Sequence, residues 1–209
     1  MASRVASVHL DDLEELHYIS HMANVSSILV RGLLSYQSAA KLPHESVAAE
    51  EIQERRRRVR VPIPGGSRPL HAYVNLYISA RNSMLRRVRN RHNDLCVLRV
   101  NKAVLAAPGV VVASCNASSD YVRWGAGENG LAVVDKELVF AEFWTHADPI
   151  EYYRRKSAKS AEVLVPDRVP PDLIFGAYVS TPENLNRLGQ TCQLPAEFRV
   201  QVDHHLFFL

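Results

Sequence analysis

The apolar positions of this chain fall into short blocks, each closed by a polar, glycine or proline break. Residues 16–20 (LHYIS) read as a short strand. Val25, Ile28 and Leu29 then recur at helical spacing, with Asn24 placed to cap that helix and Gly32 to end it. Residues 35–51 are polar and small, interrupted by Pro43. EEIQERRRR over residues 50–58 predicts a second helix, its acids first and its bases last, in agreement with the helix dipole. Pro62, Pro64, Gly65 and Gly66 impose a loop. YVNLYIS over residues 73–79 is a strand by composition. Residues 83–91 predict a helix, and residues 95–100 (LCVLRV) and 110–113 predict buried strands.

Further on, residues 117–129 are rich in Ser, Gly and Asp and read as an exposed loop. Residues 137–146 fit a helix or a strand. Residues 149–159 (PIEYYRRKSAK) read as helix. AEVLV over residues 161–165 is the clearest strand of this half, stopped by Pro166. Residues 173–179 predict another strand, and 182–188 (PENLNRL) a helix with proline in its first turn. Residues 197–208 alternate and are placed to close a sheet. There is no internal repeat. The pattern is α+β, with a helix-rich segment inserted before the central strands, and 209 residues suffice for one domain spanning 1–209 with a full core.

Composition narrows the class. A 47% hydrophobic fraction excludes a wholly disordered chain. Cys96, Cys115 and Cys192 are widely spaced, with no CxxC pair, so neither a disulfide framework nor a zinc site is expected, and no metal is. The opening residues, MASRVASVHLDDLEEL, lack the apolar run of a leader, and no stretch is apolar for the length of a bilayer. A soluble, cytoplasmic protein with no membrane contact is the expectation.

Charge changes the picture more. Residues 55–93 hold 11 of the 25 Lys and Arg, all of them arginine, and no Asp or Glu. The rest of the chain has 14 basic against 22 acidic residues, formally −8, while the whole is +3. Such segregation predicts a polyanionic partner, nucleic acid first, whose backbone the field steers without reading its sequence.

Particular residues carry candidate chemistry. Glu162 lies within AEVLV, on the opposite strand face from Ala161 and Val163 and on the same face as Leu164. It is either a half-buried acid with a purpose, or an edge acid facing water or pairing with Arg154 or Arg155. Tyr73 and Tyr77 share a strand face, as core residues or as a stacking surface for a planar ring. Arg81 follows within reach of a phosphate. Arg86, Arg87, Arg89 and Arg91 form either a solvated face or a groove for a nucleic-acid backbone. One of the four arginines at 55–58 is a candidate catalytic cation, and pattern alone does not choose which. His21 and Asn24 flank a strand-to-helix turn, and Asn116 is a good turn residue.

Taken in order, these pieces resemble the DarT family, toxins that attach ADP-ribose to DNA bases. HYISHMANVSSILVRGLLS resembles the family's opening: a strand ending in His, then Asn-Leu, then an Ile-containing helix ending in Gly-Leu. His21, Asn24, Ile28, Gly32 and Leu33 match, with Val25 in place of Leu. EEIQERRRRV resembles the Ile-Gln-x-x-Arg run, which puts Arg55 or Arg56 at the functional arginine. LHAYVNLYISARNSML resembles Tyr-Val-Pro-Phe-Tyr-Phe followed by Arg-Ser-Pro-Met-Leu. Tyr73, Val74, Tyr77, Arg81, Met84 and Leu85 match, while Asn75 and Ser83 stand where the motif has prolines. CNAS resembles Asn-Ala-Ser, placing Asn116 near substrate, and KSAEVLVPDRVP resembles the Ala-Glu-x-Leu-Val element, with Glu162 as catalytic acid. The matches span residues 17–179, and the stretch 121–152, where target selection is expected, matches little.

The resemblance implies an ADP-ribosyltransferase-like fold of two packed, curved β-sheets with flanking helices, NAD as co-substrate and single-stranded DNA as acceptor. It implies that Glu162 offsets the charge of an oxocarbenium-like ribose and that Arg55 or Arg56 acts on the acceptor base. Ser20, His21, Asn24, Tyr77 and Arg81 are assigned to NAD, with Tyr77 beside the nicotinamide and Arg81 on the pyrophosphate. Met84, Arg86, Arg87, Arg89, Arg91, Asn116 and Arg154 are assigned to DNA, whose unstacked bases are reachable. It implies a toxin opposed by a macrodomain antitoxin of the DarG kind. The alternatives are the same fold acting on RNA or protein, a non-catalytic basic nucleic-acid-binding module, and a tRNA phosphotransferase-like enzyme.

Overall fold

The computed structural model describes residues 6–209; residues 1–5, where the stretch read as lacking a leader begins, lie outside them. The first expected strand forms β1 (Leu16–His21). A 3-10 turn leads into α1 (Val25–Arg31), which Gly32 ends at φ +80°. A Cβ at Gly32 would meet the Val169 carbonyl oxygen at 2.1 Å, so sterics and backbone both require glycine there. β2 (Leu33–Leu34) and the single-turn α2 (Tyr36–Ala39) follow, then α3 (Glu50–Arg57) with the arginine run on its last turn. The proline- and glycine-marked segment is more than a loop. It is the turn of a hairpin joining β3 (Arg60–Ile63) to β4 (Gly66–Pro69).

β5 (Tyr73–Tyr77) precedes α4 (Ser83–Arg87). The helix expected over residues 83–91 stops at Arg87 and continues as 3-10 turns over Arg89–Asp94, where Asn90, Asn93 and Asp94 compete with helical hydrogen bonding. β6 (Leu95–Val100) and β7 (Val111–Ala113) come next. The segment expected as a loop over residues 117–129 contains β8 (Trp124–Ala126), paired to β7. Its Gly125 is a packing residue: a Cβ there would meet Gly130 Cα at 2.4 Å. Residues 137–146 resolve into α5 (Lys136–Phe140) and a non-helical segment. α6 (Pro149–Ala158) is capped by the Asp148 side chain. The chain ends through β9 (Glu162–Pro166), β10 (Arg168–Val169), β11 (Ile174–Val179), α7 (Pro182–Thr191) and β12 (Arg199–Val202).

Eight strands hydrogen-bond in the order β12-β11-β6-β1-β5-β9-β7-β8. β1 meets β5 at one residue pair, His17 with Tyr77, but meets β6 along its whole length. The sheet therefore parts into two four-stranded halves. Their inward faces share one core, with Leu16, Leu98, Val100, Ala177 and Val179 from one half and Val74, Leu76, Val112, Val163 and Val165 from the other. Each of these Leu and Val side chains contributes about 1.5–3 kcal/mol when fully buried. That core fixes the halves at an angle and leaves a cleft where β1 and β5 diverge. Among the described residues, no helix is long and apolar enough to cross a membrane, and Cys96, Cys115 and Cys192 are free and buried.

Candidate active site

Residues of β1 (Tyr18, Ile19, Ser20) and of β5 (Tyr73, Asn75, Tyr77) line a cleft of about 830 Å³, a size suited to a small-molecule ligand. Its floor is built by strand alternation. Ala161, Val163 and Val165 face the shared core, so Glu162 must face the opposite way, towards the cleft side. It stands across from Tyr77 of β5 and Ala113 of β7.

Glu162 is fully buried and is not itself among the residues lining the cleft; it lies behind Arg56 and Asn75, which are. It neither faces water nor pairs with Arg154 or Arg155. Its partner is Arg56, whose two terminal nitrogens donate to Oε1 at 3.1 Å and Oε2 at 2.8 Å. The Ala117 backbone N–H donates to Oε1 at 3.0 Å and Asn75 Nδ2 donates to Oε2 at 2.7 Å. Four donors thus occupy the four acceptor directions of one carboxylate. The bidentate fork fixes its plane as well as its charge.

The structure settles which of the four clustered arginines turns inward. Ile52 is the single apolar residue of EEIQERRR, and Arg56 follows it at i+4 on the same face of α3. Arg55 is exposed at the cleft, while Arg57 and Arg58 pair with Glu54 in solvent. Burial opposes the charge of Arg56, but the Glu162 carboxylate outweighs it and holds the guanidinium above its ordinary pKa. Burial, reinforced by Glu162, pushes the Tyr77 phenol well up, so that it stays protonated.

The other expected site residues divide. Ser20, Asn24, Arg55, Tyr77, Met84, Arg86, Arg87, Arg89 and Asn116 line the cleft with Arg56. Asn24 does not cap its helix as expected. Its side chain instead exchanges two hydrogen bonds with the Glu45 backbone, at 2.8 and 2.9 Å, and so pins the segment after α2 along the cleft. The carboxamide oxygen of Asn116 accepts from Ser118 N and Oγ at 2.9 and 2.7 Å, and this turn presents the neighbouring Ala117 N–H to Glu162.

His21, Arg81, Arg91 and Arg154 are not brought to the cleft lining. The His21 ring accepts from Ala23 N, supporting the turn before α1. Arg91 lines a smaller depression beside the cleft, shared with Met84 and Arg87. Arg154 pairs with Glu151 and Asp135. Arg81 was assigned to a pyrophosphate, and its placement does not fit that. Its guanidinium donates to the Glu142 and His205 carbonyls, both at 2.9 Å, and stacks 4.2 Å from the Phe208 ring centroid. It clamps the segment carrying Trp144, which packs edge-on against Phe208.

Several lining residues had no assignment from sequence. Trp144, Tyr152, Tyr153 and Lys156 also line the cleft, and Asn75 sits beside Glu162. Arg55, Arg86, Arg87, Arg89 and Arg91 make no ion pair among the described residues, whereas Arg68 pairs with Asp167. Among the described residues, no group of three or more His, Cys, Asp or Glu is placed to hold a metal ion.

The parted α+β sheet is that of an ADP-ribosyltransferase-like fold, and the solved structures it resembles are DarT and DarTG proteins. Thermosipho africanus DarTG in complex with ADP-ribose superposes with a TM-score of 0.79 at 25% identity, covering 93% of this chain and 51% of that one. Thermus sp. 2.9 DarT in complex with ADP-ribosylated ssDNA superposes at 0.75 and 24%, covering 96% and 99%. The model of the family described as "ssDNA thymidine ADP-ribosyltransferase, DarT" matches residues 17–208, so the chain belongs to the DarT family. Among curated relatives, the DNA ADP-ribosyl transferase of Thermus sp. (strain 2.9) is 30% identical over 171 residues, 76% of this chain and 78% of that protein. The DNA ADP-ribosyl transferase-DNA ADP-ribosyl glycohydrolase fusion protein of Thermosipho africanus is 29% identical over 93% of this chain, which spans about half (50%) of the fusion's length.

Proposed function

We propose that this protein transfers ADP-ribose from NAD to thymidine in single-stranded DNA, releasing nicotinamide. The observation that carries the reading is the buried Arg56–Glu162 pair, whose arginine lines a cleft that also holds cationic and aromatic side chains. In the reaction the bond from the ribose anomeric carbon to nicotinamide breaks, a bond from that carbon to a ring nitrogen of the base forms, and the base loses its N–H proton to solvent water. Positive charge develops on the ribose and negative charge on the base. A fixed carboxylate and a fixed guanidinium side by side match both developing charges, and in a water-poor site such preorganised groups need no reorganisation. Arg56, held above its ordinary pKa, acts as a permanent cation towards the base rather than as its proton acceptor. Tyr77, protonated and beside Glu162, packs against the departing nicotinamide. Ser20 and Asn24 support the nucleotide side of the cleft.

The DNA follows Arg86, Arg87 and Arg89, with Arg55 and Lys156 on the same cleft lining, and its bases stack on Trp144, Tyr152 or Tyr153. Asn116 serves indirectly, through the turn that aims Ala117. The same reading makes the protein a cytoplasmic toxin, with a macrodomain glycohydrolase that removes the mark as its antitoxin.

The test is nicotinamide release from NAD in the presence of matched oligonucleotides. Release requires single-stranded DNA containing thymidine and stops with Glu162→Ala, circular dichroism confirming the fold. Release that ignores DNA, or persists undiminished in the variant, contradicts the proposal.

A further inference from the structure

The carboxylate behind the cleft lining is held by three groups, and one of them is outside every role assigned so far. Asn75 lies midway along β5, between Tyr73 and Tyr77 and on their face of the strand. It is the one polar residue among the apolar and aromatic side chains of YVNLY. Its Nδ2 reaches across to the adjacent strand and donates to Glu162 Oε2 at 2.7 Å, as short as any contact that carboxylate makes. The registry explains the reach. Asn75 stands opposite Leu164 and Tyr77 opposite Glu162, so the amide crosses diagonally to a carboxylate on the same face, within the span of diagonal strand neighbours.

The remaining donors hold the carboxylate from other directions. Arg56 comes from a helix on the far side of the chain, and the Ala117 N–H comes from the turn after β7. Neither belongs to the strand next to β9 that also lines the cleft. Asn75 does, and it is partly exposed to the cleft while Glu162 is not. An amide there holds the carboxylate from the β5 side, the one direction that neither Arg56 nor Ala117 covers. Without it the Arg56 fork still sets the plane of the carboxylate, but Oε2 keeps a single donor and the head group is held less constantly against the reacting sugar.

We propose that Asn75 is a positioning residue for the reaction, a donor that locks Glu162 in its working orientation from the neighbouring strand. This rests on the reading of Glu162 as the catalytic acid. Asn75 touches no reacting atom in this role. Its effect falls on turnover rather than on NAD binding, because misplacement of a catalytic group by a fraction of an ångström is felt in the transition state.

Two substitutions test it, with Glu162→Ala run alongside. Asn75→Leu keeps an uncharged side chain of similar size and removes the donor. It is expected to lower kcat for DNA modification roughly 10- to 100-fold, while the Kd for a non-hydrolysable NAD analogue stays within about two-fold. Asn75→Asp is isosteric and serves should the leucine variant fail to fold. At neutral pH its carboxylate repels Glu162 and donates nothing. At lower pH the pair shares a proton, and that proton restores a hydrogen bond between the two side chains. The ratio of variant to wild-type activity is therefore expected to rise as pH falls from about 8 to 5, which loss of packing alone would not produce. Wild-type turnover in a folded Asn75→Leu, or an activity ratio for Asn75→Asp that is flat with pH, overturns the inference. If Glu162→Ala retains activity the failure lies with the catalytic assignment itself; if it is dead while the Asn75 variants behave as wild type, only the positioning role is lost.

Discussion

The Arg56–Glu162 contact makes a prediction that a double-mutant cycle reads directly. Glu162 is 0% exposed and Arg56 7%, so solvent screens the pair little. Glu162→Gln removes the charge and turns an amide N–H₂ towards donors that previously met an acceptor. Arg56 is then a buried cation without its counter-charge. Breaking a buried pair from one side costs about 3–5 kcal/mol. Arg56→Met leaves the carboxylate with two neutral donors, Asn75 and Ala117, and a comparable penalty of about 3 kcal/mol. Making both changes removes the stranded charge from either side. The double variant is therefore expected to lose less than the sum of the singles, by about 2–3 kcal/mol, the upper end of measured couplings. A protein of this size moves by about 2–4 °C in Tm per kcal/mol. Each single variant should melt about 6–20 °C below wild type, with the double close to the worse single. Urea denaturation of the four proteins at neutral pH supplies the free energies. Additivity within about 0.5 kcal/mol would refute the claim that the two side chains act as one buried unit.

Three further outcomes are expected. Arg81→Ala releases the Glu142 and His205 carbonyls, so limited proteolysis should newly cut near residues 141–148 while NAD-analogue affinity holds; a wild-type digestion pattern would deny the clamp. Replacing Arg86, Arg87 and Arg89 by Gln should lower the slope of log affinity against log salt for single-stranded DNA by about 2, at roughly 0.7 per phosphate contact; an unchanged slope would remove these residues from the DNA path. Burial, with Arg81 adding to it, pushes Lys159 down to about 8 from the ordinary lysine value of 10.5. The unfolded chain therefore binds the extra proton between those values, and the residue's contribution to stability rises with pH across that window. Measured against Lys159→Met, wild type should gain stability from pH 8 to 10, and parallel curves would contradict this.

Most strands were legible because their signal is local. LCVLRV and AEVLV read as strands from composition and alternation, and both formed within a residue of their expected bounds. The face of Glu162 also followed from alternation. What alternation lacks is the partner. Arg56 comes from 106 residues away, and only the i+4 step from Ile52 marked it as the inward member of its run. Asn75 carried a signal too, a polar residue on an apolar strand face, but it stands where the family motif has proline. Trp144, Tyr152 and Tyr153 lie where the family motifs give no guide, and their convergence on the cleft depends on how α6 packs. Arg81 misled for a different reason. It precedes α4 in sequence, yet its contacts are with residues 142 and 205–208, which no local pattern reveals. β8 escaped notice because glycines chosen for close packing look like loop residues.

The central claim is that Glu162 drives transfer of ADP-ribose onto a thymidine base. The most direct measurement is the intact mass of a single-stranded oligonucleotide with one thymidine, after incubation with NAD and either wild-type protein or folded Glu162→Ala. The account predicts one added ADP-ribose with wild type, none with the variant, and none when the thymidine is replaced by cytidine. An unmodified oligonucleotide with folded wild-type protein, or equal modification by the variant, would contradict it.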